Sequence, residues 1–285
     1  MHRGELLIHQ LMDVPEEVTR SMPWSRNRLD AEQQQFFSNI SIFAIGTLDS
    51  QGRPWASVLT GVPPGFITSP SKTSLIVNTE ISPHDPLFDN LCNGFIHAGK
   101  RLFAGLGLDL SERRRSKVSG TMEGSQNRLL DSPPLPLRLS VTESQANCPK
   151  YINARMVSFY QRTPQLRQRD LSADRVSLDH SSRKHIRNYD AIFVASRHLG
   201  SQGGSAGDME SSMDVNHRGG NAGFVRCSDD GSALYFPEYS GNRIYSTLGN
   251  IQTDHFAGPV HSAGIASVPP HDSGCTHRWH AVRIG

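Results

Sequence analysis

The stretch from Ile40 to Thr60 constrains the fold of this chain more than any other. It runs I-S-I-F-A-I-G-T-L, then D-S-Q-G, then R-P-W-A-S-V-L-T. β-Branched and aromatic residues suit a pleated sheet, and an aspartate-to-glycine step supplies a tight turn, so the stretch predicts an antiparallel hairpin. Further short strands are expected at Ser74–Asn78, Arg101–Leu110, Ser116–Met122 and Leu137–Thr142, with glycine and proline in most of the gaps. Many short strands joined by turns build a closed barrel or a sandwich. The unit also recurs. Ala191–Ser196 (A-I-F-V-A-S) has the character of Ile42–Gly46, and Gly223–Arg226, the Asp229-Asp230-Gly231 turn and Ala233–Phe236 again give strand, turn, strand. A second, partial copy of one β-unit accounts for the pattern.

Helices flank these strands. One is expected over Glu5–Met12, one over Asp30–Ser38 with Asp30 as N-cap, and a short one over Asp85–Cys92. A fourth is expected over Leu171–Asn188, capped by Ser172 with Asp174 in its first turn. Gly200–Ser212 is rich in glycine and serine and reads as a mobile loop. Pro259–Gly285 has no strand period and is expected to hold no stable place in a barrel. The chain therefore divides into an entry segment (1–36), a β domain of barrel or sandwich type (37–155), a linker with an entry helix (156–190), a second, partial β domain (191–258) and an irregular tail (259–285). The fold class is mainly β with flanking helices, α+β.

Charge and cysteine usage narrow the functional classes. A net charge of +2 over 285 residues lacks the concentrated basic face of a nucleic-acid binder. The one dense basic run, Arg113-Arg114-Arg115, stands beside Asp109 and Glu112 and reads as a solvated or locally paired surface. Cys92, Cys148, Cys227 and Cys275 are widely spaced, which fits a reduced cytoplasmic chain better than a disulfide framework. No apolar run reaches the roughly 18 residues that span a bilayer. Cys275, His277 and His280 lack a fourth ligand, so no metal site is expected. Gly105-Leu106-Gly107 lacks the third glycine of a dinucleotide fingerprint.

Two segments carry candidate chemistry. Asp214–Gly223 (D-V-N-H-R-G-G-N-A-G) sets His217 and Arg218 beside Gly219, Gly220 and Gly223. Such a segment is either a glycine-rich anion cradle with an arginine fork, or a tight turn with an exposed arginine. Tyr239–Asn250 (Y-S-G-N-R-I-Y-S-T-L-G-N) offers Ser240, Asn242 and Arg243 at the start of a helix. A helix N-terminus can hold a phosphate, and it can equally be a capped helix with Arg243 in solvent.

Taken together, H-R-G-G-x-x-G-F-V-R followed by a strand and S-G-N-R-x-x-x-T-L-G-N resembles the flavin-nucleotide-binding branch of the pyridoxamine 5′-phosphate oxidase-like proteins. Gly4-Glu5, A-I-G-T-L-D at Ala44–Asp49, G-R-P-W at Gly52–Trp55 and N-C-P-K-Y-I-N at Asn147–Asn153 extend the resemblance over residues 4–258. It implies an FMN-binding split β-barrel over 37–155 followed by a second, partial split barrel over 191–258, FAD being the alternative cofactor, in a homodimer or an internal pseudo-dimer. It implies a flavin-dependent oxidoreductase acting on a small organic molecule. The alternatives are a flavin- or phosphate-ligand-binding protein without turnover and a truncated remnant of a longer oxidoreductase. The resemblance points to Arg226 as a phosphate contact on its strand, with Ser240, Asn242 and Arg243 as the second. His217, Arg218 and Gly219 are this branch's own feature, inferred to serve the cofactor. No catalytic residue is singled out.

Overall fold

The computed structural model describes residues 2–21, 26–123, 136–147, 149–158, 177–200, 211–237, 244–253, 267–268 and 279–283. The first half begins with three helices, α1 (Arg3–Leu11), α2 (Glu16–Ser21) and α3 (Ala31–Asn39). Seven strands follow: β1 (Ile42–Leu48), β2 (Pro54–Thr60), β3 (Ile67–Ser71), β4 (Ser74–Val77), β5 (Arg101–Asp109), β6 (Arg114–Met122) and β7 (Leu137–Asn147), with α4 (Pro86–Asn93) between β4 and β5. They form one antiparallel sheet in the order β2-β1-β5-β6-β7-β4-β3. The second half holds α5 (His180–Arg187), β8 (Ala191–His198), β9 (Ser212–Gly219), β10 (Arg226–Cys227), β11 (Ala233–Pro237), α6 (Tyr245–Thr253), β12 (Ser267–Val268) and β13 (Trp279–Arg283). These strands make two three-stranded sheets, β12-β8-β9 and β10-β11-β13.

The expected hairpin is β1–β2, in register from Ile42 opposite Thr60 to Leu48 opposite Pro54. Asp49 holds its turn. Its carboxylate accepts the backbone N–H of Gln51 and of Arg53, both at 2.9 Å, and also bonds Arg53 Nε at 2.6 Å and Trp55 Nε1 at 3.0 Å. Gly52 closes the turn at φ +76°, where only a residue without Cβ is comfortable. Helix starts follow their caps: Asp30 with a reciprocal bond from Gln33 for α3, and Asp85 with Pro86 behind it for α4.

All seven residues of β1 are buried, which explains an apolar run in place of strict alternation. On one face Phe43 and Ile45 pack with Phe37, Leu87, Leu91, Phe103 and Val118 beneath α3 and α4. On the other, Ile42, Ala44, Leu106 and Leu108 meet Phe193, Ala195, Met213 and Val215 of the β8–β9 hairpin. A Cβ on Gly46 would lie 2.7 Å from Val215 Cγ2, so the missing side chain lets the two layers approach. Beyond β8 a third cluster joins Ile192 and Val194 to Phe224, Val225, Leu234, Phe236 and Ile244.

The molecule is mainly β with a few helices, built on a large antiparallel sheet. β2 and β3 end that sheet without pairing to each other, so the described strands form no closed barrel. Four expectations are corrected. The helix expected over Leu171–Asn188 is described only from His180 to Arg187, and its cap is Asp179; Ser172 and Asp174 lie outside the described residues. The Asp214–Gly223 segment is not one turn, because its first six residues complete β9. The tail was expected to stay outside the sheets, yet Trp279–Arg283 pairs antiparallel with β11 and Ser267–Val268 with β8. An open strand edge carries unpaired N–H and C=O groups, and the backbone of an added segment can pair with them whatever its side-chain pattern. Arg115, expected on the surface with its neighbours, is buried. Among the described residues no helix is long and apolar enough to cross a membrane.

Candidate functional site

β9 and α6 carry most of the two motif segments, and their polar side chains largely bond each other. Asp214 accepts from Lys117 Nζ of β6 and from Asn216 Nδ2, each at 2.6 Å. It also accepts from Ser246 Oγ at 2.8 Å and Thr247 Oγ1 at 2.9 Å, on α6. Asn216 donates again to Thr247 Oγ1 at 2.6 Å. Asn250 Nδ2 donates to Ser196 Oγ at 2.9 Å, while its Oδ1 meets His2 Nε2 at 2.9 Å. A Cβ on Gly4 would fall 2.1 Å from Gly249 O, and one on Gly249 2.6 Å from Glu5 N, so α1 crosses α6 at backbone contact. The D-V-N and S-T-L-G-N residues thus fasten α6, and α1 above it, onto β8–β9.

His217 and Arg218 are 1% and 0% exposed. Gly219 ends β9, and a Cβ there would lie 2.2 Å from Tyr151 O; this glycine makes room for the Tyr151 backbone. Arg226 stands exposed on β10, in a different sheet. Ser240, Asn242 and Arg243 lie outside the described residues, as do Cys148, Cys275 and His277. Among the described residues no three His, Cys, Asp or Glu side chains gather as metal ligands.

The surroundings of His217 are cationic. Arg115 NH1 donates to His217 O at 3.3 Å, and Lys117 lies two residues further along β6 on the same face. Burial, then Arg115, then Arg218 push the His217 pKa down from 6.5 to about 3, so the imidazole is neutral. Burial also pushes the Lys117 ammonium down, and Asp214 restores it only in part. Sequence reasoning missed Arg115 and Lys117. Their signal was the i, i+2 spacing in R-R-R-S-K, which puts one arginine and the lysine on one strand face. It expected the helix that contains α5 but did not connect it with Arg226: α5 packs on β10 and brings Arg183, Lys184 and Arg187 to that region. Arg187 and Arg183 both act on the Cys227 thiol, whose pKa burial pushes up.

On the inner face of β9, a cavity of about 170 Å³ lies between the large sheet and the β8–β9 hairpin. Ile42, Val58, Leu108, Leu110, Ala191 and Phe193 give it apolar walls. Thr60, Asn153, Arg155, Asp190 and His217 supply the polar positions. Asp190 is fully buried just before β8; its Oδ2 accepts Asn153 Nδ2 at 2.6 Å and the Arg155 guanidinium. Asn153 Nδ2 also reaches Gly220 O at 2.9 Å, tying this corner to the end of β9. Burial raises the Asp190 pKa, and Asn153 and Arg155 oppose the rise. Asn153 closes the N-C-P-K-Y-I-N segment, which gives that segment a structural place.

No family model matches the chain, and no curated protein matches it. Among solved structures, a tagged HupZ from Group A Streptococcus is 13% identical, covers 41% of this chain and 93% of its own, and superposes with a TM-score of 0.27. A histidine-to-alanine variant of HupZ is 12% identical, covers 42% of this chain and 99% of its own, with a TM-score of 0.28. At these scores the likeness carries no weight for fold or function.

Proposed function

We propose that the chain binds a flavin nucleotide and works as a flavin-dependent oxidoreductase on a small organic molecule. The motifs over residues 4–258 support this, and the observation that carries it is the cationic rim of the β10 sheet. Arg226 is exposed there, and α5, which packs on β10, carries Arg183, Lys184 and Arg187, of which Arg183 donates to the Asp229 carbonyl. Guanidinium groups suit a phosphate through paired, charge-assisted bonds. The fit is in charge and not in volume. The cavity, about 170 Å³, is below the roughly 300–1,000 Å³ of ordinary cofactor pockets. The ring in this reading lies outside that cavity, against a surface that a second copy of the chain completes. Bound flavin supplies the electron transfer; the chain supplies binding, orientation and exclusion of water.

Purified protein tests this through its visible spectrum and through flavin titration. Arg226→Ala and Arg243→Ala are each expected to weaken binding about tenfold, the scale of one charge-assisted hydrogen bond. Arg114→Ala should change nothing, because Arg114 pairs with Glu32 at 2.7 Å over the Phe36 ring, far along the chain from the rim. A wild type that takes up no flavin refutes the reading. Bound flavin that is reduced by dithionite but accepts no electrons from NADPH and passes none to a substrate supports the binding protein without turnover.

A further inference from the structure

The cavity beside His217 is a second, separate matter, and its chemistry can be read without the flavin. Its apolar walls are aliphatic apart from the ring of Phe193, and its polar side chains gather at Thr60, Asn153, Arg155, Asp190 and His217. At about 170 Å³ it has room for a single benzene-sized ring, for which about 150 Å³ suffices. Two polar side chains on its lining have incomplete hydrogen bonding. Asp190 Oδ1 is buried and has no hydrogen-bond partner among the described residues, although Oδ2 of the same carboxylate has two. Neither ring nitrogen of His217 has one among those residues. Buried polar atoms are nearly always satisfied, so a pair of exceptions bordering one cavity calls for a ligand or a water to complete them. Thr60 is exposed and Arg155 half-buried, which marks where the cavity meets the surface.

We infer that this cavity is a binding site for a one-ring aromatic molecule bearing a single hydrogen-bond donor, a hydroxyl or an amino group. The ring fills the space between Val58, Leu108 and Phe193. The donor turns toward the Asp190–His217 end, where the carboxylate accepts it. A phosphorylated ligand is disfavoured, since the one lining cation, Arg155, is already paired with Asp190 and most of the remaining wall is apolar.

Calorimetric titration of the full chain with phenol and with benzene tests the site in the absence of flavin. Both probes are expected to bind, phenol about tenfold more tightly because only it completes the Asp190 carboxylate. Val58→Phe fills the cavity and should abolish both. Thr60→Trp enlarges an exposed side chain at the cavity mouth and should weaken both probes by blocking the entrance. No heat of binding for either probe, or unchanged binding in Val58→Phe and Thr60→Trp, overturns the inference. Equal affinities for phenol and benzene overturn the assignment of its polar end. The probes are read by heat and flavin by its visible band, where neither probe absorbs, so flavin binding and occupancy of this cavity stand or fall separately.

Discussion

Replacing Asp214 by alanine should unfasten α6 from the β8–β9 hairpin. The carboxylate carries four contacts at 2.6–2.9 Å, from Lys117, Asn216, Ser246 and Thr247. Both partners of the ion pair have side chains only 12% exposed, so solvent screens it little. Removing one member of a buried pair leaves the other charge uncompensated, at a cost of roughly 3–5 kcal/mol. Asp214→Ala is therefore expected to lose about 4 kcal/mol, and three hydroxyl or amide donors lose their acceptor with it. At roughly 2–4 °C per kcal/mol for a chain of this size, the melting temperature should fall by about 8–16 °C. Urea unfolding followed by far-ultraviolet circular dichroism reads the change directly. Adding Lys117→Met to Asp214→Ala removes the stranded ammonium and should recover at least about 1 kcal/mol, since an apolar replacement needs no counter-charge. A loss under about 1 kcal/mol in the single variant refutes the lock. A double variant no more stable than the single refutes its electrostatic part.

Two further outcomes follow from the same geometry. Because the His217 pKa is about 3 in the fold against 6.5 when exposed, the unfolded chain binds a proton that the native chain refuses. Stability contributed this way is complete above pH 6.5 and is lost as pH falls from 6.5 toward 3. At pH 5 the loss is about 2 kcal/mol, and His217→Gln should flatten that part of the stability–pH curve measured in urea. Gly249→Ala brings a methyl group to within 2.6 Å of the Glu5 backbone nitrogen. It should push α1 off α6 at a cost of roughly 1–3 kcal/mol, seen as faster amide exchange over Arg3–Leu11 with the β1–β5 core still protected.

The parts of the fold that were legible in the sequence are those whose determinants are local. Asp49 and Gly52 specify the β1–β2 turn within four residues, and Asp30 and Asp85 start helices through bonds to N–H groups two or three positions away. β9 was illegible because its polar residues are satisfied at a distance. Asp214 and Asn216 look like turn residues until Lys117, Ser246 and Thr247 are placed around them. The Trp279–Arg283 strand was missed for a related reason: what holds it is the backbone edge of β11, which no side-chain period advertises. Of the candidate site, His217, Arg218 and Arg226 could be picked out by their setting among glycines and strands. Asp190 could not. It is an ordinary aspartate before a strand, and the groups that define it, Asn153 and Arg155, lie on a segment 35–37 residues earlier in the chain.

The crossing of α1 over α6 sets an order of events during synthesis. His2 bonds Asn250 and Gly4 sits on Gly249, so α1 docks on a helix made some 245 residues after it. At roughly 5–20 residues per second, that is a wait of about 12–50 s with no docking surface for α1. Nine residues do not hold a helix in water on their own strength, so the segment stays uncoiled through that interval. The β1–β2–β5–β6 sheet, whose pairings span far shorter stretches, can assemble in the meantime. α1 then coils only after the chain has reached Thr253, and its docking reports that α6 has arrived.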